Sequence, residues 1–267
     1  MIVSDLDAEL ALAREAAVAA GELALSHFRT GRRSWYKGPG QVVTEADLAV
    51  DALLHDRLRA ARPDDGWLSE ERADDRSRTH CRRVWMVDPI DGTRAFADGV
   101  PQFAISIALV ERGRPLVGVV LNPATGERFE ARRGGSAWLD GQRLRVSGAD
   151  ALAEARLLSS RTEMRRRDWP GMIPEASFTA IGSLAYKLAL IASGRFDGLV
   201  SLRGSHDWDI AAAQLLVDEA GGILTDAAGK AIVLNQEVPR HAGLAVAGAE
   251  GLHGALLARL AAAAPGS

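Results

Sequence analysis

Two carboxylates lie three residues apart where a predicted apolar strand ends. Residues 84–87 read Val-Trp-Met-Val and are followed by Asp88, a Pro-Ile turn, and then Asp91 and Gly92. Proline fixes its own backbone angle, and glycine lets the main chain come close to a ligand, so this turn suits coordination of a hard cation better than packing. Ligands that are all oxygen atoms favour Mg²⁺ or Mn²⁺.

Some phosphatases use an aspartyl nucleophile that also follows a strand, and they need a second acid two residues further along the chain. Here that position is Ile90, and the second acid falls at Asp91. The covalent mechanism therefore lacks its acid–base partner. We favour direct attack on phosphorus by a metal-bound water.

A second acidic segment begins at His206 and continues into a predicted helix over residues 208–220, which the glycine pair 221–222 terminates. We predict that Asp207 caps this helix and that Asp209 therefore lies in its first turn. The helix dipole favours an ionised carboxylate at that position.

Composition limits the class of protein. With 267 residues, of which 47% are hydrophobic, the chain can bury a substantial core. A net charge of -3 creates no overall field toward nucleic acid or anionic lipid, so we predict neither a nucleic-acid polymer nor a membrane as partner. The single Cys81 excludes an intrachain disulfide, and the acidic N-terminus does not resemble a signal peptide. We expect a cytoplasmic protein.

The first half, residues 1–147, is predicted to be an α+β domain. Apolar residues at steps of three and four from Leu6 to Phe28 predict a helix that ends near residues 30–31. A capping box from Thr44 to Asp47 begins a second predicted helix, which continues to Pro63. Residues 37–40, rich in glycine and proline, are predicted to form a loop. An antiparallel meander is predicted from strands over residues 84–87, 103–110, 116–121, 127–131 and around 144.

The second half, residues 148–267, is predicted to be an α/β domain, because strand and helix patterns alternate along it. It would supply Asp209 and contacts to the substrate. The predicted strands cover residues 156–159, 178–181, 198–201, 223–225 and 244–247, and the predicted helices cover residues 183–193, 208–220 and 251–263.

The chain resembles the inositol monophosphatase superfamily in several motifs taken together. Asp-Pro-Ile-Asp-Gly-Thr stands at residues 88–93, and Trp-Asp-x-Ala-Ala at 208–212 leads to Glu-Ala-Gly-Gly at 219–222. Ser-Glu-Glu at 69–71 and Thr-Glu-Ala-Asp at 44–47 extend the resemblance over about residues 37–225. It implies a layered αβαβα sandwich of the sugar-phosphatase type, often a homodimer.

The resemblance also implies ligands for two or three Mg²⁺ ions, with Mn²⁺ as a substitute. The first ion would bind Glu70, Asp88 and the carbonyl of Ile90, and the second would bind Asp88, Asp91 and Asp209; a third ion would share Glu70. Electrostatics supports this set of ligands, because acids gathered at one phosphate site repel each other unless divalent cations neutralise them.

The implied mechanism has no phosphoenzyme. Thr93, oriented by Asp47, would position and deprotonate the attacking water, with Glu70 as a further catalytic residue. Backbone N–H groups of Gly92 and Thr93 would hold the phosphate of a small phosphorylated metabolite. Lithium inhibition is an expectation from the same resemblance.

Most of these residues also have a purely structural interpretation. By itself, Asp47 is better explained as part of a helix cap, and only the family resemblance reverses that preference. Trp85 and Trp208 are predicted to be packing residues. His206 is predicted to contact substrate, with a loop histidine that has no special role as the alternative. Asp209 is predicted to bind substrate as well as metal.

The substrate prediction depends on one departure from the family pattern. Members that hydrolyse inositol phosphates usually carry a glutamate seven residues before the aspartate of the Trp-Asp motif, and here that position is Leu202, followed by Arg203. An arginine there could pair with a second phosphate, as in 3'(2'),5'-bisphosphate nucleotidases. We predict 3'-phosphoadenosine 5'-phosphate as substrate. The alternatives are inositol 1-phosphate, histidinol phosphate or a sugar phosphate, and a non-catalytic regulatory protein on the same fold.

Overall fold

The structure is a computed structural model and describes residues 6–30, 33–38, 41–165 and 173–263. Its α-helices are α1 (Leu6–Thr30), α2 (Glu45–Ala61), α3 (Thr93–Ala97), α4 (Arg161–Met164), α5 (Leu184–Ala192), α6 (Asp207–Glu219) and α7 (Glu250–Ala263), with a 3-10 helix at Ser77–His80. Its strands are β1 (Ser34–Gly38), β2 (Gln41–Thr44), β3 (Gly66–Ser69), β4 (Arg83–Asp91), β5 (Ala104–Glu111), β6 (Arg114–Asn122), β7 (Glu127–Arg132), β8 (Ala137–Leu139), β9 (Gln142–Arg143), β10 (Arg156–Ser159), β11 (Ser177–Ala180), β12 (Gly198–Ser201), β13 (Ser205–His206), β14 (Ile223–Asp226), β15 (Arg240–His241) and β16 (Leu244–Ala247).

The first half forms a seven-stranded sheet in the order β3-β4-β5-β6-β7-β8-β9. Every neighbouring pair from β4 to β9 is antiparallel, which confirms the predicted meander, whereas β3 pairs parallel with β4. The second half forms a five-stranded sheet in the order β11-β10-β12-β16-β14, with both parallel and antiparallel pairs.

Helices α1 and α2 cover one face of the large sheet. The alanine-rich stripe of α1, from Ala13 to Ala24, is buried against strand residues such as Ile107 and Val119. Small side chains let this helix approach the sheet closely, and Gly21 shows the same requirement because a Cβ there would lie 2.8 Å from Leu121. The predicted capping box at Thr44 is present at the start of α2.

Helices α5 and α6 lie between the two sheets and share one core with both of them. That core joins Met86 and Phe129 of the large sheet to Leu199 and Val246 of the small sheet. On the outer face of the small sheet, α7 buries residues such as Leu256. The five layers are therefore helices, sheet, helices, sheet and helix, which confirms the predicted αβαβα sandwich. The division into domains after residue 147 stays a prediction.

Several local features differ from the prediction. Residues 37 and 38 belong to strand β1, which pairs with β2 in a hairpin, while residues 39 and 40 lie outside the described part of the chain. Strand β3 was missed, because four residues with no alternating pattern give no local signal for a strand. The last strand of the first sheet ends at Arg143, so Leu144 follows it instead of lying within it.

Among the described residues, no helix has the length and apolarity needed to cross a bilayer.

Candidate metal and phosphate site

Strand β4 brings Asp88 to a buried position near the C-terminal end of the strand. Asp88 is 1% exposed, and its Oδ1 accepts a hydrogen bond from the backbone N–H of Ile90 at 3.0 Å. The pairing of β4 with β5 shifts register between Asp88 and Asp91. Such an irregularity ends the strict alternation of side chains and re-aims those that follow it.

Gly92 follows with a backbone conformation that favours glycine. Its φ is +94°, and an added Cβ would lie 2.9 Å from the carbonyl oxygen of Gln102. Both the angle and the close approach exclude larger residues. Gly92 immediately precedes the short helix α3, which begins at Thr93.

Helix α5 fixes the second acid of the turn. Ser183, the residue that caps α5, donates its hydroxyl to Asp91 Oδ2 at 2.5 Å, and the backbone N–H of Ala185 donates to the same oxygen. Asp91 is 8% exposed. An acid of the first half is thus held by a helix start in the second half, where N–H groups favour negative charge.

Asp47 is both a helix cap and a neighbour of Thr93. Its Oδ2 accepts the backbone N–H of Thr44 at 2.8 Å, while its Oδ1 accepts the hydroxyl of Thr93 at 3.0 Å. The Thr93 hydroxyl also lies 3.1 Å from the carbonyl oxygen of Ile90. The structural and functional interpretations of Asp47 are therefore compatible, because each uses a different oxygen.

Lys37 lies between the two neighbouring glutamates. Its Nζ is 3.3 Å from Glu70 Oε1 and 2.6 Å from Glu71 Oε1. The side chain of Glu70 is 27% exposed, whereas that of Glu71 is 4% exposed. Because Glu70 is more accessible and lies within electrostatic range of Asp88 and Asp209, it is the better candidate for a metal ligand of the two.

The start of α6 differs from the prediction. His206, not Asp207, occupies the cap position, and its backbone N–H donates to Asp209 Oδ2 at 2.7 Å. Asp207 is fully buried, where it binds His241 Nε2 at 2.7 Å and the backbone N–H of Asn235 at 2.6 Å. Through these two hydrogen bonds Asp207 joins residues 235 and 241 to the start of α6, and it does not cap the helix.

The two tryptophans beside the motifs are packing residues, as predicted. Trp85 is fully buried, and Trp208 is partly buried against the central core. The ring of His206 stacks on Trp208, with centroids 4.4 Å apart and planes inclined by 8°. The imidazole therefore has a fixed orientation at the start of α6.

Burial and mutual repulsion raise the pKa of the acids in this cluster. Burial raises the pKa of Asp47 to about 6, and burial with the charge of Asp209 raises that of Asp91 to about 6. Burial, together with Asp209 and Glu71, raises the pKa of Glu70 to about 8 against the opposing effect of Lys37. Burial, then Glu70 and Asp91, raise the pKa of Asp88 well above its usual value. Ionising them together therefore requires nearby positive charge.

The donor set fits a hard divalent cation. Hydrogen bonds within the described chain occupy one oxygen each of Glu70, Asp88 and Asp209 and leave the second oxygen of each side chain without a partner. In the described residues, however, no three Asp, Glu, His or Cys side chains converge closely enough to form a preformed ion cage. The acids are electrostatic neighbours that would have to draw together around an ion.

Arg203 lies on the exposed turn between β12 and β13. It forms no ion pair within the described chain, and it is close enough to the buried Lys187 to lower its pKa, although burial is the larger cause. The charges of Asp91 and Glu163 oppose this shift. Glu163 accepts hydrogen bonds from the Ser201 hydroxyl and the Leu202 N–H, at 3.0 and 2.9 Å. Hydrogen bonds to Glu163 therefore hold the base of the turn, whereas the side chain of Arg203 has no partner among the described residues.

The sequence analysis assigned no role to four residues that the structure places near the site, namely Lys37, Ser183, Lys187 and Glu163. A serine just before an apolar helix indicates a cap, and the sequence does not show that its hydroxyl also reaches Asp91.

Comparisons with known proteins agree with this architecture. The profile of the Inositol monophosphatase family matches residues 5–265. An inositol-1-monophosphatase of Rhizobium meliloti is 40% identical over 72% of this chain and 75% of its own length, and the Nus factor SuhB of Escherichia coli K12 is 36% identical over 82% and 85%. The structure of a Thermotoga maritima IMPase superposes with a TM-score of 0.83 at 30% identity, covering 95% of this chain and 97% of that chain.

Because one fold can host several functions, the class of this protein is assigned from the family match together with the cluster of buried carboxylates near Gly92. The chain belongs to the inositol monophosphatase family. It is accordingly a phosphoric monoester hydrolase, of a family that acts on small phosphorylated substrates and for which Mg²⁺ dependence is characteristic.

Proposed function

We propose that this hydrolase acts on bisphosphorylated nucleotides, with 3'-phosphoadenosine 5'-phosphate as its substrate. The choice of substrate depends on one observation. Arg203 is exposed and without an ion pair in the described chain, and it follows Leu202, which occupies the place of a substrate-binding glutamate. A free guanidinium favours a second phosphate, whereas a leucine offers nothing to the hydroxyl groups of inositol.

The acids and one carbonyl are proposed as the Mg²⁺ ligands, with two or three ions bound. Glu70, Asp88, Asp91 and Asp209, with the carbonyl of Ile90, would hold them. When bound, Mg²⁺ would neutralise the acids, polarise the phosphate and lower the pKa of water. The assignment is supported by Glu70, Asp88 and Asp209, each of which has one carboxylate oxygen without a hydrogen-bond partner in the described chain.

Thr93 and Asp47 are proposed to handle the proton of the attacking water. The Thr93 hydroxyl donates to Asp47 Oδ1 at 3.0 Å, so its own oxygen can accept a hydrogen bond from water. Burial raises the pKa of Asp47 to about 6, which suits a proton acceptor near neutral pH. Glu70 would hold water with its second oxygen, and the N–H groups of Gly92 and Thr93 would bind the phosphate.

The rest of the substrate would lie toward the exposed turn. Arg203 would pair with the second phosphate, and Leu202, which is 36% exposed, would offer an apolar surface to the base. The stacked ring of His206 would donate to a sugar hydroxyl. Asp209 would bind substrate and metal together.

Inositol 1-phosphate is the second candidate, because a 40% identical relative is named inositol-1-monophosphatase. A panel of 3'-phosphoadenosine 5'-phosphate, inositol 1-phosphate and histidinol phosphate, assayed for phosphate release with Mg²⁺, separates the candidates. We expect the highest kcat/KM for the bisphosphorylated nucleotide and loss of rate when Li⁺ is added. A higher kcat/KM for inositol 1-phosphate would reverse the assignment, and no release from any ester would favour a regulatory protein.

A further inference from the structure

A cavity of about 500 Å³ lies between the segment that leads into β4, the β5–β6 turn and residues 233–236. Its lining includes His80, Arg82, Arg112, Val233 and Asn235, and none of the acids of the metal site. A volume of this size is within the range of roughly 300–1,000 Å³ that is usual for small-molecule sites.

The cavity lining contains two arginines, of which only one has an ion pair within the described chain. None of its described lining residues is acidic. Arg82 pairs with Glu111 at 2.7 Å, but Arg112 has no ion pair or hydrogen bond within the described chain. One guanidinium is therefore available to an anion, and its planar donors match the oxygens of a phosphate.

Asn235 adds a donor whose orientation is fixed. Its Oδ1 accepts a hydrogen bond from Arg78 Nη1 at 2.6 Å, and arginine can only donate, so the Nδ2 end remains for another partner. Arg78 is fully buried and also binds both carboxylate oxygens of Asp74, at 2.8 and 3.1 Å. The amide is held in place before any ligand arrives.

A backbone hydrogen bond joins two sides of the cavity, and Val233 adds an exposed apolar surface. The backbone N–H of Leu234 donates to the carbonyl of Gly113 at 3.1 Å, and a Cβ on Gly113 would meet both residues 233 and 234 at 3.0 Å. Val233 is 51% exposed at the rim. The cavity thus combines cationic and polar donors with a smaller apolar surface, so it offers partners to both parts of an organic anion.

We propose that this cavity binds a small organic molecule bearing a phosphate or diphosphate group, with the anion on Arg112 and Asn235 Nδ2 and the remainder against Val233. The site is separate from the metal site and does not depend on which substrate is hydrolysed.

The probe is inorganic pyrophosphate, titrated calorimetrically into the full chain in EDTA, where the metal-free acids repel anions. Arg112→Asn removes the charge and suits the left-handed φ of 50° at that position. Arg114→Asn removes an equal exposed charge from the same turn, outside the cavity lining. Arg203→Ala controls for binding at the turn near the acids.

We expect the unmodified protein to bind pyrophosphate, Arg112→Asn to weaken the affinity at least tenfold, and both controls to change it less than twofold. All variants should melt at the same temperature within 2 °C. No binding by the unmodified protein at millimolar pyrophosphate would overturn the proposal. Equal losses at Arg112 and Arg114, or a tenfold loss in Arg203→Ala, would overturn it too.

Discussion

The acidic cluster and the turn over residues 202–204 differ in how firmly the fold holds them. Asp47, Asp88 and Asp91 are at most 8% exposed, and each accepts at least one hydrogen bond from backbone or side chain. Arg203 is exposed and unpaired in the described chain. A fold that buries and hydrogen-bonds these acids, and exposes a flanking turn, can keep one chemistry while the substrate changes.

The largest expected effect is on the fixed side of this comparison. Asp88→Asn removes a carboxylate that would neutralise and hold Mg²⁺, so kcat should fall by about a thousandfold, equivalent to several kcal/mol of transition-state stabilisation. The fall in kcat is measured by phosphate release. The protein should fold normally, because asparagine keeps an oxygen for the Ile90 N–H. Turnover within tenfold of the unmodified enzyme would remove Asp88 from its proposed role.

Thr93 should show a smaller loss that a conservative change rescues. Thr93→Ala removes the hydroxyl bound to Asp47 and should lower kcat about a hundredfold, within the range of general acid–base effects. Thr93→Ser keeps the hydroxyl and should recover most of the rate. If serine and alanine variants were equally slow, the methyl group, not the hydroxyl, would be the important part of Thr93.

Arg203 tests the free side of the comparison. Arg203→Ala should lower kcat/KM about tenfold for 3'-phosphoadenosine 5'-phosphate, because a charge-assisted contact to the second phosphate is lost. The rate on inositol 1-phosphate should change less than threefold. Arg143→Ala, an exposed arginine in β9 at the edge of the large sheet, is the matched control. Equal losses on both substrates would show that Arg203 does not discriminate between them.

The smallest effect concerns stability and pH. The raised pKa values, about 6 for Asp47 and Asp91 and about 8 for Glu70, mean that the folded state binds protons more tightly than the unfolded state. The stability they contribute is complete below about pH 4 and is lost as the pH rises through 6 to 8. In EDTA, Tm should be about 5 °C higher at pH 5.5 than at pH 8.

Mg²⁺ should reverse this dependence by raising Tm more at pH 8, where the acids are ionised. Asp218 provides an internal control, since burial raises its pKa to about 6 near Arg133 and outside the metal site. Its contribution should persist with Mg²⁺. A Tm difference between the two pH values that Mg²⁺ leaves unchanged would contradict the assignment of the acids as ligands.

Local patterns predicted most of the fold but little of the cross-layer bonding. The stripe of α1 and the capping box at Thr44 are visible in sequence because their partners are at most four residues away. Strand β3 depends on parallel pairing with β4, a nonlocal contact. The use of Asp207 was mispredicted because His241 lies 34 residues further along the chain.

The same limit applies within the site. The turn from Asp88 to Thr93 could be recognised from sequence, because its acids, proline and glycine lie within six consecutive residues. Lys37 lies 33 residues before Glu70, and Ser183 lies 92 residues after Asp91, so no spacing rule connects them. These contacts arise only when the layers pack.

The central claim is that acids from both halves of the chain form one Mg²⁺-dependent hydrolytic site. The direct test is to add Mg²⁺ back to EDTA-treated enzyme and follow phosphate release by the unmodified protein and by Asp209→Asn. We predict no release without Mg²⁺, full recovery on addition for the unmodified protein, and little or none for Asp209→Asn. Release that persists in EDTA, or an unchanged Mg²⁺ dependence in Asp209→Asn, would contradict the claim.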